Sequence, residues 1–152
     1  MPGTDTLAIK SSNPNVISEV CYVESKLRLG SDTKAGQDAY EELTRKHSID
    51  LPIILTFVLK RMHETRHGLL NPFKEYLRDR SVSDDRDAFW IELTWEKDNW
   101  TDTVLGNLET HISSSVTIQS KPKCTVHLAR VKELDTLIDD IFQVVVHYRW
   151  KA

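Results

Sequence analysis

The sequence predicts an α+β fold in which a helical N-terminal half of about four helices packs against a C-terminal antiparallel sheet of three or four strands with two helices. Three observations carry this expectation. Apolar residues keep helical spacing through residues 13–80, a polar aperiodic stretch follows at 81–87, and from residue 88 the pattern switches to strict alternation. The parts are expected to form one compact unit.

Residues 1–12 read as a flexible tail. Asn13-Pro14 reads as a capped helix start, with Val16, Val20, Val23 and Leu27 on one face and Gly30 as the stop, which predicts a helix over 14–29. A shorter helix over 37–47 turns Ala39, Tyr40 and Leu43 inward. Asp50-Leu51-Pro52 then opens the strongest helical signal in the chain. Leu51, Ile54, Leu55, Val58 and Met62 form one stripe, and Ile53 and Phe57 form a second on the other side, so this helix is expected to lie buried between two layers. Phe73, Tyr76 and Leu77 give a further short helix over 72–78.

Beyond the linker at 81–87, residues 87–96 alternate as a strand. Phe89, Ile91, Leu93 and Trp95 point one way, and Trp90, Glu92 and Thr94 the other. Asp98-Asn99 precede a helix carrying Val104, Leu105, Leu108 and Ile112. Val116 and Ile118 mark a strand, Lys121-Pro122-Lys123 a turn, and Cys124, Val126 and Leu128 a third strand, together read as a hairpin. Val131, Leu134, Leu137, Ile138 and Ile141 form another helix. Residues 142–150 fit both periods; the three consecutive valines favour a strand, which would complete a ferredoxin-like β-α-β-β-α-β order over 87–151.

With 39% hydrophobic and 28% charged residues and a net charge of −3, the 152-residue chain has the composition of an ordinary soluble domain. No apolar run approaches the ~20 residues of a membrane span. An intracellular, cytoplasmic location is the default expectation, and Cys21 and Cys124 are expected to be reduced thiols. Phosphate-cradling glycine motifs and a Gly-x-Ser-x-Gly nucleophile context are absent from the sequence.

His63, Glu64 and His67 fit the pattern His-Glu-x-x-His, which sets two imidazoles on one helical face with a carboxylate between them. Over these five residues the chain resembles zinc metallopeptidases. The resemblance implies zinc held by His63 and His67, with Glu64 activating a bound water. The competing reading is a cationic helix end: Lys60, Arg61 and Arg66 crowd the motif, and both histidines lie off the main apolar stripe. That reading is preferred, and it assigns no metal and no catalytic residue.

Two further surfaces stand out. Lys60, Arg61, Arg66, Lys74 and Arg78 make the central helices locally basic. Trp90, Glu92, Val144, Val146, Tyr148 and Trp150 combine aromatic and β-branched side chains that could bind another protein through a sheet edge or face. The sequence therefore favours a non-enzymatic protein-interaction module or small subunit of a larger complex. A zinc-dependent hydrolase is the alternative, and an RNA-binding sheet module a further one; a membrane partner is not expected and nucleic acid is disfavoured by the acidic balance.

Overall fold

The computed structural model describes residues 6–49, 51–80, 85–114 and 123–139. Two strands come first, β1 (Thr6–Asn13) and β2 (Val16–Arg28), followed by the helices α1 (Ala35–Ile49), α2 (Leu51–Glu64) and α3 (Leu70–Asp79). Then come β3 (Asp87–Glu96), a single 3-10 turn (Lys97–Asn99), α4 (Thr103–Ser114) and β4 (Lys123–Val131). Residues 134–139 are again helical.

The four strands form one mixed sheet in the order β1-β2-β3-β4. β1 and β2 are an antiparallel hairpin, whereas β2 pairs with β3, and β3 with β4, in parallel. Each parallel pair needs a crossover that returns the chain to its starting edge, which is what α1–α3 and α4 provide. The architecture is α+β, with the sheet interleaved with helices.

This corrects the expected helical N-terminal half and antiparallel sheet. Residues expected to be a tail and a first helix are the hairpin. At Asn13-Pro14-Asn15 the Asn13 side chain accepts the Asn15 N–H at 2.9 Å, so the asparagine caps a turn and not a helix. Val16, Val20, Val23 and Leu27 match a helical period by coincidence. β2 is an interior strand buried on both faces from Val20 to Glu24, and such strands read as continuous apolar runs without alternation. The β-branched and aromatic content of VISEVCYV then decides for the strand.

The strand over 87–96 has the expected bounds and facing. Phe89, Ile91, Leu93 and Trp95 are all buried, and register places them beside Tyr22, Glu24, Lys26 and Arg28 of β2. Ala39, Tyr40 and Leu43 of α1, Phe73 and Tyr76 of α3 and Val104 and Leu108 of α4 complete one core with them. Each large apolar side chain removed from water there contributes roughly 1.5–3 kcal/mol. α2 buries Leu51, Leu55 and Met62, but Ile53 and Phe57 are 71% and 58% exposed, so the expected second layer over this helix is not found among the described residues. Val116, Ile118 and residues 142–150 lie outside the described residues, as does the turn at Lys121-Pro122. No helix among the described residues is long and apolar enough to cross a membrane.

Candidate functional site

The pleat of β2 sends alternate residues to the helix-covered face. After Val20 and Tyr22 the next two are Glu24 and Lys26, so a carboxylate and an ammonium stand where apolar side chains are expected. Across them lies α1, which presents Glu42 and Lys46 four residues apart on one face.

The four close an alternating ring. Lys26 Nζ lies 2.9 Å from Glu24 Oε1 and 2.9 Å from Glu42 Oε2. Lys46 Nζ lies 2.9 Å from Glu24 Oε2 and 3.0 Å from Glu42 Oε1. The side chains of Glu24 and Lys46 are 3% and 4% exposed, Lys26 16% and Glu42 35%, so the ring is floored by Glu24 and opens to solvent past Glu42. Ile91 and Leu93, the register partners of Glu24 and Lys26, wall it on the β3 side.

Burial pulls both lysines toward lower pKa, yet their hydrogen bonds to the two carboxylates outweigh it and hold both above the ordinary lysine value. The same bonds, from Lys26 first and then Lys46, hold the Glu42 carboxyl down at about 2. Such a ring is a poor way to gain stability. Desolvating charges offsets most of their attraction, and well-packed apolar residues in their place are often as stable. The ring also sits in the carboxyl half of β2, beside a parallel neighbour, where open parallel sheets place their ligands.

A second polar cluster sits at the other end of β3. Asp87, buried at the start of the strand, accepts from Tyr76 Oη at 2.6 Å, from Arg80 Nη2 at 2.5 Å and pairs with His47 Nε2 at 2.8 Å. Arg80 Nε also donates to Tyr76 Oη at 3.1 Å, and the Arg86 guanidinium lies 4.6 Å from the centre of the Tyr76 ring. Tyr22 packs edge-on against both His47 and Phe89. Burial pushes the Asp87 carboxyl up, but the donors from His47, Tyr76 and Arg80 prevail and hold it below the usual carboxylate range. Burial pushes the Tyr22 and Tyr76 hydroxyls well above the ordinary tyrosine value. With every partner tying α1, α3 and β3 together and Asp87 closed to solvent, this cluster is a clamp for the fold.

The residues singled out from sequence fall elsewhere. α2 ends at Glu64, and Arg66 takes a left-handed conformation with φ 51°. Its N–H donates to His63 O at 3.2 Å while His67 N–H donates to Met62 O at 2.9 Å, the paired closure of a Schellman turn. His67 is thereby outside the helix, and its Nδ1 accepts the Leu69 N–H at 3.1 Å, while His63 and Glu64 are exposed. No group of three or more His, Cys, Asp or Glu side chains placed to hold a metal is found among the described residues.

Lys60 and Arg61 flank Glu64 at 4.0 and 3.4 Å, and Arg78 pairs with Asp79 at 3.0 Å and with Glu75, so the basic patch is partly neutralised by its own helices. Arg66 and Lys74 are exposed. Trp90 and Glu92 lie on the face of β3 opposite α1, where the Trp90 ring meets His127 of β4 at 5.3 Å. Val144, Val146, Tyr148 and Trp150 lie outside the described residues.

A helical phase over 14–29 separates Glu24 from Lys26, and without that strand nothing marks Glu42 and Lys46 of α1 as their partners. The signal was nevertheless there: in CYVESK a strand period puts Glu24 and Lys26 on the side of Tyr22, two charges breaking an apolar face. Compared with known families, residues 1–145 match the family model described as HamA. No curated protein matches the chain.

Proposed function

The chain belongs to the HamA family. From the geometry of the charge ring we propose that it is a phosphodiester hydrolase, with Glu24, Lys26, Glu42 and Lys46 as the reacting centre. The observation that carries this reading is the charge ring itself: two carboxylates and two ammoniums withdrawn from water at the carboxyl half of a parallel strand, open on one side. Two carboxylates converging on shared points suit a hard divalent cation, since Mg²⁺ takes one or two protein carboxylates and fills its remaining positions with water and substrate phosphate. Lysine suits the other half of the task as a point charge for a phosphate.

Each residue then has a role set by its place. Glu24, fixed in the floor, would be one ligand of the cation, and Glu42, at the mouth, the second. In the ring as it stands, ammoniums fill the space between these carboxylates. With a cation held by the two carboxylates, Lys26, the more exposed lysine, would face the phosphate and stabilise the negative charge that builds on its oxygens. Lys46 stays beside Glu24 and keeps its carboxylate oriented. A bound cation would supply Lewis-acid polarisation and an acidified water. The exposed Lys74 on α3 offers an anionic substrate a further contact.

Calorimetric titration with Mn²⁺ tests the cation arm. The wild-type chain is expected to bind one ion, with Glu24→Gln and Glu42→Gln each weakening it at least about tenfold, as loss of a ligand does. Absence of binding at millimolar Mn²⁺, or binding indifferent to both substitutions, overturns the reading.

A second reading is compatible with the first: the chain is a subunit that docks on another protein. The exposed Ile53 and Phe57 of α2 support it, because large apolar side chains left on one stripe of a helix mark contact surfaces.

A further inference from the structure

We infer that α2 inserts Ile53 and Phe57 into an apolar groove on a partner protein whose rim carries carboxylates; this rests on the second reading above and names the surface and the partner's chemistry. The argument begins with helical phase. Leu51, Leu55 and Met62, the buried residues of α2, fall together on one side. Ile53 and Phe57, four residues apart, fall on the opposite side, and among the described residues they are the most exposed large hydrophobic side chains. A helix in solution needs one apolar stripe to join its own core. This one carries two.

The same outward stripe continues into Lys60, Arg61 and Glu64. Glu64 is shared by both cations, at 4.0 Å from Lys60 and 3.4 Å from Arg61, and the two basic side chains remain 75% and 70% exposed. One carboxylate against two cations, with Arg66 exposed just beyond, leaves the C-terminal half of the stripe positive. A helix showing two apolar anchors followed by a net cationic turn is the form that enters a hydrophobic groove, with anchors at i and i+4 and charge setting the register. The complementary surface is apolar at one end and acidic at the other. A bilayer fits less well. Two anchors and a carboxylate on the same stripe give too little apolar area and too little unpaired charge for an interfacial helix.

The test places a photo-crosslinking amino acid at position 57 of the full chain, and in a second variant at position 92 on the opposite sheet face, both expressed in the native host. The expected result is one protein crosslinked from position 57, with the linked peptide lining an apolar groove bordered by Asp or Glu. With that purified partner, Ile53→Ala and Phe57→Ala should each weaken binding about thirty-fold, as anchor residues do. Lys60→Glu/Arg61→Glu should slow association and remove its salt dependence. These are surface positions, so unchanged thermal unfolding should accompany the loss. Crosslinks from position 57 to lipid or to a second copy of the chain overturn the inference. Crosslinks from position 92 with none from 57 overturn it while leaving the subunit reading standing, and a lone uncrosslinked monomer removes both.

Discussion

Replacing Asp87 by alanine should cost more stability than any other single polar substitution among the described residues. Its side chain is 1% exposed and receives Tyr76, Arg80 and His47, so the change strands a guanidinium that is itself only 13% exposed. Removing one partner of a buried ion pair costs about 3–5 kcal/mol, because the surviving charge stays desolvated without compensation. At roughly 2–4 °C per kcal/mol for a chain of this size, the melting temperature should drop on the order of 10 °C. Urea unfolding followed by tryptophan fluorescence measures it directly, and Tyr76→Phe, which removes one donor and leaves the charges paired, should cost about 1 kcal/mol. The sign with pH is set by the depressed Asp87 value. Its contribution is present above the unfolded carboxyl value, about 3.9, and is lost as pH falls through the lower folded value. The wild type should therefore lose stability on acidification more steeply than Asp87→Asn. A penalty below about 1 kcal/mol for Asp87→Ala would refute the assignment of this cluster as a clamp.

Three further outcomes follow from the same geometry. Lys46→Met should destabilise by about 3 kcal/mol because Glu24 keeps only Lys26, whereas the double change with Glu24→Leu should recover much of that loss; additivity in urea melts would contradict the ring. The Glu42 carboxyl, held at about 2, should titrate by NMR well below free glutamate, and return toward the ordinary value in Lys26→Met. Arg66→Gly should stabilise by about 1 kcal/mol, since φ 51° strains any residue with a Cβ, and an unchanged urea midpoint would argue against that turn.

Where one face of an element meets the core and the other meets solvent, the sequence was legible. DAFWIELTWE alternates cleanly because its two faces differ, and α1–α4 show their inward stripes to different degrees. β2 hid itself for the opposite reason: with apolar neighbours on both faces it has no period of its own, and chance spacing of its valines supplied a helical one. The loss carried through to the site. Glu24 and Lys26 become neighbours on one face only if residues 16–28 are a strand, and Glu42 and Lys46 reach them only once α1 lies across it. A local motif such as His63-Glu64-x-x-His67 is visible without a fold, whereas a ring built from two elements is not. The two stripes of α2 were legible too, but their spacing does not show that only one of them is buried among the described residues.

The most direct test of the central claim is the rate of phosphodiester hydrolysis, measured on single-stranded DNA, duplex DNA, RNA and bis(p-nitrophenyl) phosphate with Mg²⁺ or Mn²⁺, for wild type, Glu24→Gln and Lys26→Ala at matched folded fraction. The wild type should show divalent-dependent cleavage, and each variant a loss of about 10²-fold or more, the scale of removing one group that stabilises developing charge. No cleavage under any of these conditions, or cleavage that survives both substitutions, would contradict that claim.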